Sequence, residues 1–271
     1  MTTVLRRAAA LVGAAHPGPA FAVTLLAGLL AGAVGLGPGG VALVVLAVLT
    51  GQLSIGWSND LIDAARDRQV GRADKPVARG DVSEGGVRVA LAVAGVLCVA
   101  LSLACGPASA AVHLVLGVGS GWAYNLGFKR TAWSAAPYAV AFGTLPAVVT
   151  LALPEPRLPP VWTVVVGALL GVGAHLLNAL PDLADDAATG VHGLPHRLGP
   201  RTLRWLAPLV LTTASAVTVF GPVTTTTPWV WGGFVACLVL AGVAVGGRGR
   251  VPFLAAIGIA AVDVASLVLR A

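Results

Sequence analysis

Asn59-Asp60-Leu61-Ile62-Asp63-Ala64-Ala65-Arg66-Asp67 closes a long apolar run that begins near Val41. On a helix, Asn59, Asp63 and Asp67 fall at i, i+4 and i+8, so their side chains stack on one face. Asp60 joins the edge of that face. Asn178, Asp182 and Asp186 repeat the spacing at the end of a later apolar run, with Asp185 as an extra carboxylate beside them. Polar residues at the end of an apolar helix are often caps or solvated loop residues. The repeated Asn-x-x-x-Asp-x-x-x-Asp spacing favours a shared purpose, since two such arrays can face each other across a bundle. Carboxylates and amides are hard oxygen ligands, suited to Mg²⁺ with a phosphate-bearing substrate. The candidate metal ligands are therefore Asn59, Asp60, Asp63, Asp67, Asn178, Asp182, Asp185 and Asp186. An Asp at the centre of a membrane helix costs about 2.5–3.5 kcal/mol on insertion scales. Several of them in lipid would outweigh a span's insertion energy, so they belong at a water-facing end, in a polar cavity or on a metal.

Hydrophobic residues make up 57% of the 271 and charged residues 10%, against about 25% charged in soluble domains. That ratio excludes a soluble globular protein and defines an integral membrane one. The 35 glycines fit closely packed helices, in which small residues let backbones approach. Apolar runs of about spanning length lie at 18–36, 41–62, 86–105, 109–127, 134–153, 161–181, 203–221, 228–246 and 251–269. The expected fold is all-α: a polytopic membrane helical bundle of about nine transmembrane helices around a central cavity, forming a single domain over residues 1–271. Arg6 and Arg7 followed by a short apolar stretch imitate a signal peptide. The apolar character resumes after Pro17 and Pro19, which reads as a retained first span. Cys98, Cys105 and Cys237 lie in apolar runs without metal-ligand spacing and read as packing residues, with no disulfide.

With the N-terminus placed in the cytoplasm, the inside segments hold all of the 17 Lys and Arg residues except Arg157 and Arg270. This asymmetry follows the positive-inside rule. It places both Asp arrays, and so the working face, on the cytoplasmic side of a cell membrane. It also explains the net charge of +6 without nucleic acid, because the basic residues sit between spans.

The first array runs into Arg68-Gln69-Val70-Gly71-Arg72-Ala73-Asp74-Lys75-Pro76-Val77-Ala78-Arg79-Gly80. Such basic residues serve as charge balance and topology signals, or they bind diphosphate oxygens while Mg²⁺ bridges from the Asp side. Arg72, Lys75 and Arg79 are the candidates, and Pro76 and Gly80 suggest a shaped loop. Tyr124-Asn125-Leu126-Gly127-Phe128-Lys129-Arg130-Thr131 lies between two further spans. Interfacial Tyr and Lys–Arg commonly anchor and orient a span; beside the two arrays, Lys129 becomes a diphosphate ligand, with Arg130 next to it. Tyr124 is then placed to stabilise cationic character or orient a substrate. His192 and His196 have a metal-pair spacing, but Gly193 and Pro195 between them favour a solvated loop. Asp263 stands alone in the last span with no partner assigned.

Asn59-Asp60-x-x-Asp63-x-x-x-Asp67, then Tyr124…Lys129, then Asn178-x-x-x-Asp182-x-x-x-Asp186, resembles the UbiA superfamily of intramembrane prenyltransferases. The order of the motifs and the basic loop Arg68, Arg72 and Lys75-Pro76 carry the resemblance. The gap from Tyr124 to Lys129 is one residue longer than the family's usual spacing. The resemblance implies a helical bundle closed by polar loops. Asn59, Asp63, Asp67, Asp182 and Asp186 would hold two Mg²⁺ on a prenyl diphosphate, supported by Asp60 and Asp185. Two metals with Lys and Arg stabilise the departing diphosphate, and an apolar pocket shields the allylic cation from water. Catalytic roles then fall to Asp63, Asp67, Asp182, Asp186, Lys129 and Tyr124. Trp57 and Trp122 near the site read as ordinary packing before any role facing the cation.

The expected reaction is prenyl transfer to a small-molecule acceptor, an aromatic or quinone precursor. The alternatives are a membrane terpene cyclase, in which the chain's own double bonds attack, and transfer to a sugar phosphate or glycerol-linked lipid. A transporter would place its acidic residues near the bilayer midplane, whereas these sit at one end beside basic loops. Partners are the prenyl diphosphate, the acceptor and the bilayer, with no nucleic acid.

Overall fold

The computed structural model describes residues 3–180, 183, 190–222, 228–248 and 251–270, and among these the regular elements are all helical. Proline at the first turn opens most of the long helices, where its missing N–H costs nothing. Helix α1 (Thr3–Ala14) meets α2 (Pro17–Ala33) at a 66° bend. Helix α3 spans Pro38–Gln69, and a short α4 follows at Pro76–Arg79. Helix α5 (Glu84–Ala104) is capped by the Ser83 hydroxyl, which accepts from the Gly86 amide. Then come α6 (Pro107–Ala111), a π-helical segment (Val112–Val118), α7 (Gly119–Leu126) and a 3₁₀ turn (Phe128–Arg130). Helices α8 (Ala136–Thr150), α9 (Val161–Ala179), α10 (Leu194–Phe220), α11 (Pro228–Gly246) and α12 (Val251–Arg270) complete the bundle. Gly199 at φ 74° breaks α10 near its start, just before Pro200.

Each expected apolar run falls on a helical segment, but the count of nine uninterrupted spans is not reached. Six of the described helices are long and apolar enough to cross a bilayer, and the bent α1–α2 pair would make seven. Two runs fall short for physical reasons. Helix α8 has 15 residues, which at 1.5 Å per residue gives only about 22 Å. The run from Pro107 to Leu126 is divided by the π segment.

Helix α3 decides where the polar residues lie. Its 32 residues rise roughly 48 Å, well beyond a hydrocarbon core of about 30 Å. Its last turns, from Asn59 onward, therefore project past the apolar layer.

The core joins α2, α9, α10 and α12 through Leu30, Leu176, Leu203, Leu211, Ile259 and Leu267, all essentially without exposure. The outer faces of the helices carry exposed Val, Leu and Trp side chains. In water that surface would drive aggregation; in lipid it has a matching solvent.

Glycines make the tightest approaches. A Cβ on Gly171 would sit 2.3 Å from the Tyr138 carbonyl oxygen, and one on Gly167 2.5 Å from that of Phe142. Helices α8 and α9 are thus in backbone contact, as small residues permit. A Cβ on Gly56 of α3 would meet the Ala15 carbonyl at 2.2 Å, where the α1–α2 bend crosses. Trp57 locks that crossing by donating its indole N–H to the Leu11 carbonyl at 2.9 Å.

Gly171→Ala should therefore lower stability by about 1–3 kcal/mol, the usual cost of overpacking. Gly95→Ala, where nothing lies within 4 Å, should not. Thermal unfolding of the detergent-purified variants measures both; equal midpoints would mean that α8 and α9 separate freely.

Candidate functional site

Three carboxylates sit at the projecting end of α3, and all are buried: Asp60 at 1% exposure, Asp63 at 3% and Asp67 at 2%. Burial beside the negative end of a helix dipole is doubly unfavourable for carboxylates, so each should have a cation near it. Each does.

Asp63 is the most heavily coordinated. Lys129 Nζ donates to both of its oxygens at 2.6 Å. Arg66 Nη2 lies 3.3 Å from Oδ2, and Asn59 Nδ2 donates to the same oxygen at 3.2 Å. Lys129 is brought there by the 3₁₀ turn after α7 and is itself only 6% exposed. Burial pushes its amine below the usual lysine range, and the Asp63 charge opposes that shift.

Asp67 has Arg66 Nη2 at 3.4 Å from Oδ1. Its Oδ2 is buried with no hydrogen-bond partner among the described residues.

Asp60 points to a different group. Lys75 Nζ donates to Oδ1 at 2.9 Å, and His16 Nε2 lies 3.1 Å from the same oxygen. Lys75 Nζ is also 3.0 Å from His16 Nε2. Nε2 is a donor in one tautomer and an acceptor in the other, so it satisfies either Asp60 or Lys75 at one time. His16 is the residue at the α1–α2 bend, with φ 53°, a left-handed conformation that costs an L-residue about 1–2 kcal/mol. The ring contacts help to offset that cost. Asp60 thus ties the basic loop and the N-terminal bend to α3.

Asn125 of α7 holds the array from the side. Its Nδ2 donates to the Ile55 carbonyl at 2.9 Å and the Ser58 hydroxyl at 2.8 Å, while its Oδ1 accepts from Asn59 at 3.2 Å. These bonds fix the Asn59 amide, whose Oδ1 lies 3.4 Å from Lys75 Nζ.

The other candidate cations are arranged less uniformly. Arg72 pairs with Asp74 through two bonds of 2.8 Å, which hold the Asp74 carboxyl down at about 2. Arg79 donates to the Ala73 carbonyl at 2.8 Å and pairs with Asp81. Arg130 is exposed. Gly80 at φ 78° ends α4, so Pro76 and Gly80 do shape the loop.

Tyr124 is set against aromatic neighbours on α8 and α9, with ring centres 5.2 Å from Tyr138 and 5.7 Å from His175. Phe142 stacks on Tyr138 at 6.4 Å. His175 Nε2 lies 3.0 Å from the Ser134 hydroxyl, which also accepts from the Leu194 amide at 2.9 Å. A Cβ on Gly193 would sit 2.6 Å from the Lys129 carbonyl. Asp182, Asp185 and Asp186 lie outside the described residues. The chain on either side of them, at His175 and at Gly193–Leu194, makes these contacts with the Tyr124 cluster and the Lys129 turn.

His16, Arg66, Asn125, Ser134, Tyr138 and His175 were not singled out from sequence. Arg66 and Asn125 stood inside the quoted motifs, and a polar residue one turn from an acidic face was their signal. His16 had only its place before Pro17. His192 precedes α10 and His196 lies within it, their rings 6.3 Å apart at a steep angle, so they share no helix face. Asp263 finds its partner in the membrane core, where the Ser215 hydroxyl donates to it and Cys237 Sγ lies 3.8 Å away. Cys98, Cys105 and Cys237 are all free thiols.

The donor set fits a hard divalent cation. Asp60 Oδ2 and Asp67 Oδ2 are buried oxygens with no partner among the described residues, and Asn59 adds an amide oxygen. Among the described residues no three His, Cys, Asp or Glu side chains by themselves form a metal cluster. Oxygens from outside α3 have to complete any site.

The apolar helices and the buried charged end define an integral membrane protein with a polar site at one end of its bundle. The chain belongs to the UbiA prenyltransferase family, whose pattern matches residues 20–261. No curated protein sequence matches it. Among solved structures it is similar to a UbiA homolog from Archaeoglobus fulgidus bound to GPP and Mg²⁺, with TM-score 0.69 and 14% identity over 97% of this chain and 100% of that one. It is also similar to the apo structure of a UbiA homolog from Aeropyrum pernix K1, with TM-score 0.71 and 15% identity over 92% of this chain and 97% of that one. A structure of digeranylgeranylglyceryl phosphate synthase aligns with TM-score 0.64 and 12% identity over 98% of this chain and 99% of that one.

Breaking one side of a buried ion pair costs about 3–5 kcal/mol. Lys129→Met and Asp63→Leu should therefore each destabilise strongly, and the double variant should lose clearly less than the sum. A double-mutant cycle by thermal unfolding measures this; additive losses would mean that the two side chains do not interact.

Proposed function

We propose that this protein is a Mg²⁺-dependent intramembrane prenyltransferase that ionises a prenyl diphosphate and passes the prenyl group to an aromatic or quinone-precursor acceptor. The observation that carries the reading is the buried carboxylate array of α3, set beside Lys129, Lys75 and Arg66 at one end of an apolar bundle. An anionic leaving group needs cations, a metal needs hard oxygens, and an allylic cation needs dry surroundings. Fold relatives from A. fulgidus with bound GPP or DMAPP and Mg²⁺ support the same substrate class here.

Asp63, Asp67 and Asn59, with Asp182 and Asp186 from the second array, would hold two Mg²⁺. Asn178, Asp60 and Asp185 would support them. The bound metal would neutralise diphosphate charge and so make it a competent leaving group. Lys129, Lys75 and Arg72 supply further positive charge to the diphosphate oxygens. Arg79 and Arg130, both exposed, would add positive charge at longer range. The Tyr124, Tyr138 and Phe142 rings present π-faces to the developing cation and exclude water from it. The whole chain works as a single domain, with its polar end in the cytoplasm and the bundle in the plasma membrane.

The test is purified protein with Mg²⁺ and a panel of prenyl diphosphates, with and without aromatic acceptors, following diphosphate release and identifying the lipid product by mass and NMR. Prenyl transfer should require the acceptor. Asp63→Ala and Asp182→Ala should each lower release by at least about 100-fold, as loss of a group that stabilises transition-state charge does. A cyclic product without acceptor would make the enzyme a terpene cyclase using the same site. No release with any donor would overturn the proposal, and near-full activity in either variant would remove that residue from the site.

A further inference from the structure

We propose that Lys129 is a displaceable counter-ion that makes metal and diphosphate bind together, by holding Asp63 until the diphosphate draws it away. This rests on the prenyl-diphosphate reading above and adds an order to it.

A carboxylate offers about four lone-pair positions. At Asp63 the donors crowd both oxygens: Lys129 on Oδ1, and Lys129, Arg66 and Asn59 on Oδ2, which leaves one lone pair of Oδ1 open. A metal ion on that lone pair would lie beside the ammonium 2.6 Å from the same oxygen, and like-charge repulsion opposes it. Metal binding at Asp63 is therefore favoured only once Lys129 moves away. Among the described residues Lys129 has no other hydrogen-bond acceptor, and it is buried. An unpaired buried ammonium is costly, so it leaves only toward a new anion. A diphosphate at the array is such an anion. The long lysine stem lets Nζ swing while the turn that carries it stays packed: Gly193 closes on the Lys129 carbonyl, not on the side chain.

The consequence is thermodynamic. Metal alone must displace Lys129 with nothing to receive it, while metal with diphosphate exchanges one partner for another. Each ligand then tightens the other by the same factor. A carboxylate site without an internal cation would bind metal readily by itself. The exchange keeps Mg²⁺ from occupying the array before substrate arrives.

The experiment measures Mn²⁺ binding to the full-length protein from the free-ion EPR signal, with and without a prenyl thiolodiphosphate, which binds without ionising. In the wild type the analogue should tighten Mn²⁺ by at least about tenfold, within the usual range of couplings. Lys129→Met removes the internal cation, so Mn²⁺ without analogue should bind at least about tenfold tighter than to the wild type. Lys129→Gln should show the same gain, and its amide can still donate to Asp63 if the Met variant does not fold. Lys129→Arg keeps the charge and should show no gain. Unchanged or weaker Mn²⁺ binding in a neutral variant, or no coupling in the wild type, would overturn the counter-ion role. Failure of the wild type to bind the analogue at any Mn²⁺ level would instead reject the prenyl-diphosphate reading. The comparison of Mn²⁺ alone would still decide the role of Lys129.

Discussion

A carboxylate buried in a helical bundle, at the carbonyl end of a helix, is costly without a cation beside it. Asp63 and Lys129 are that pair here, two buried side chains joined through both carboxylate oxygens. Much of the site follows from it. The 3₁₀ turn after α7 has to approach α3 to deliver the ammonium. Asn125 at the end of α7 then falls beside Asn59. The chain at Gly193–Leu194 closes over the same turn. The pair costs desolvation that hydrophobic residues would not, and the proposed anionic diphosphate substrate would give a reason for keeping it.

The scaffold supplies the geometry. Helix α3 is long enough to carry polar residues past the apolar layer without breaking its backbone hydrogen bonds, which lipid would leave unsatisfied. The glycines of α8–α9 and Gly56 of α3 let neighbouring backbones touch, which fixes the helices where apolar contact alone gives little preference. The α1–α2 bend uses the same economy. A strained His16 backbone places its ring on Asp60 and Lys75, so the N-terminal bend and the basic loop are held by one carboxylate.

The stacking of Asn59, Asp63 and Asp67 was legible because helical period alone sets it, and the class was legible because composition alone sets it. Lys129 was legible as a candidate, but its grip on Asp63 was not, since no local pattern says which carboxylate a distant lysine will meet. Arg79 read as a candidate diphosphate ligand, and its pairing with Asp81 two residues on was not part of that reading. The span count of nine is left unconfirmed at Val112–Val118 and at α8. A π segment has no composition of its own, and fifteen apolar residues between turns look like part of a longer run. His16 left no trace, because a lone histidine before a proline carries no period. The aromatic group of Tyr124, Tyr138 and His175 assembles from three helices and is written in none of them.

The central claim is that the α3 carboxylates hold a divalent ion directly against diphosphate. Phosphorus-31 electron-nuclear double resonance on Mn²⁺ in the protein with a prenyl thiolodiphosphate measures that contact. The account predicts a strong phosphorus coupling, the sign of Mn–O–P bonding, that disappears in Asp63→Asn while the protein stays folded. A bound Mn²⁺ with no phosphorus coupling, or a coupling indifferent to Asp63, would contradict it.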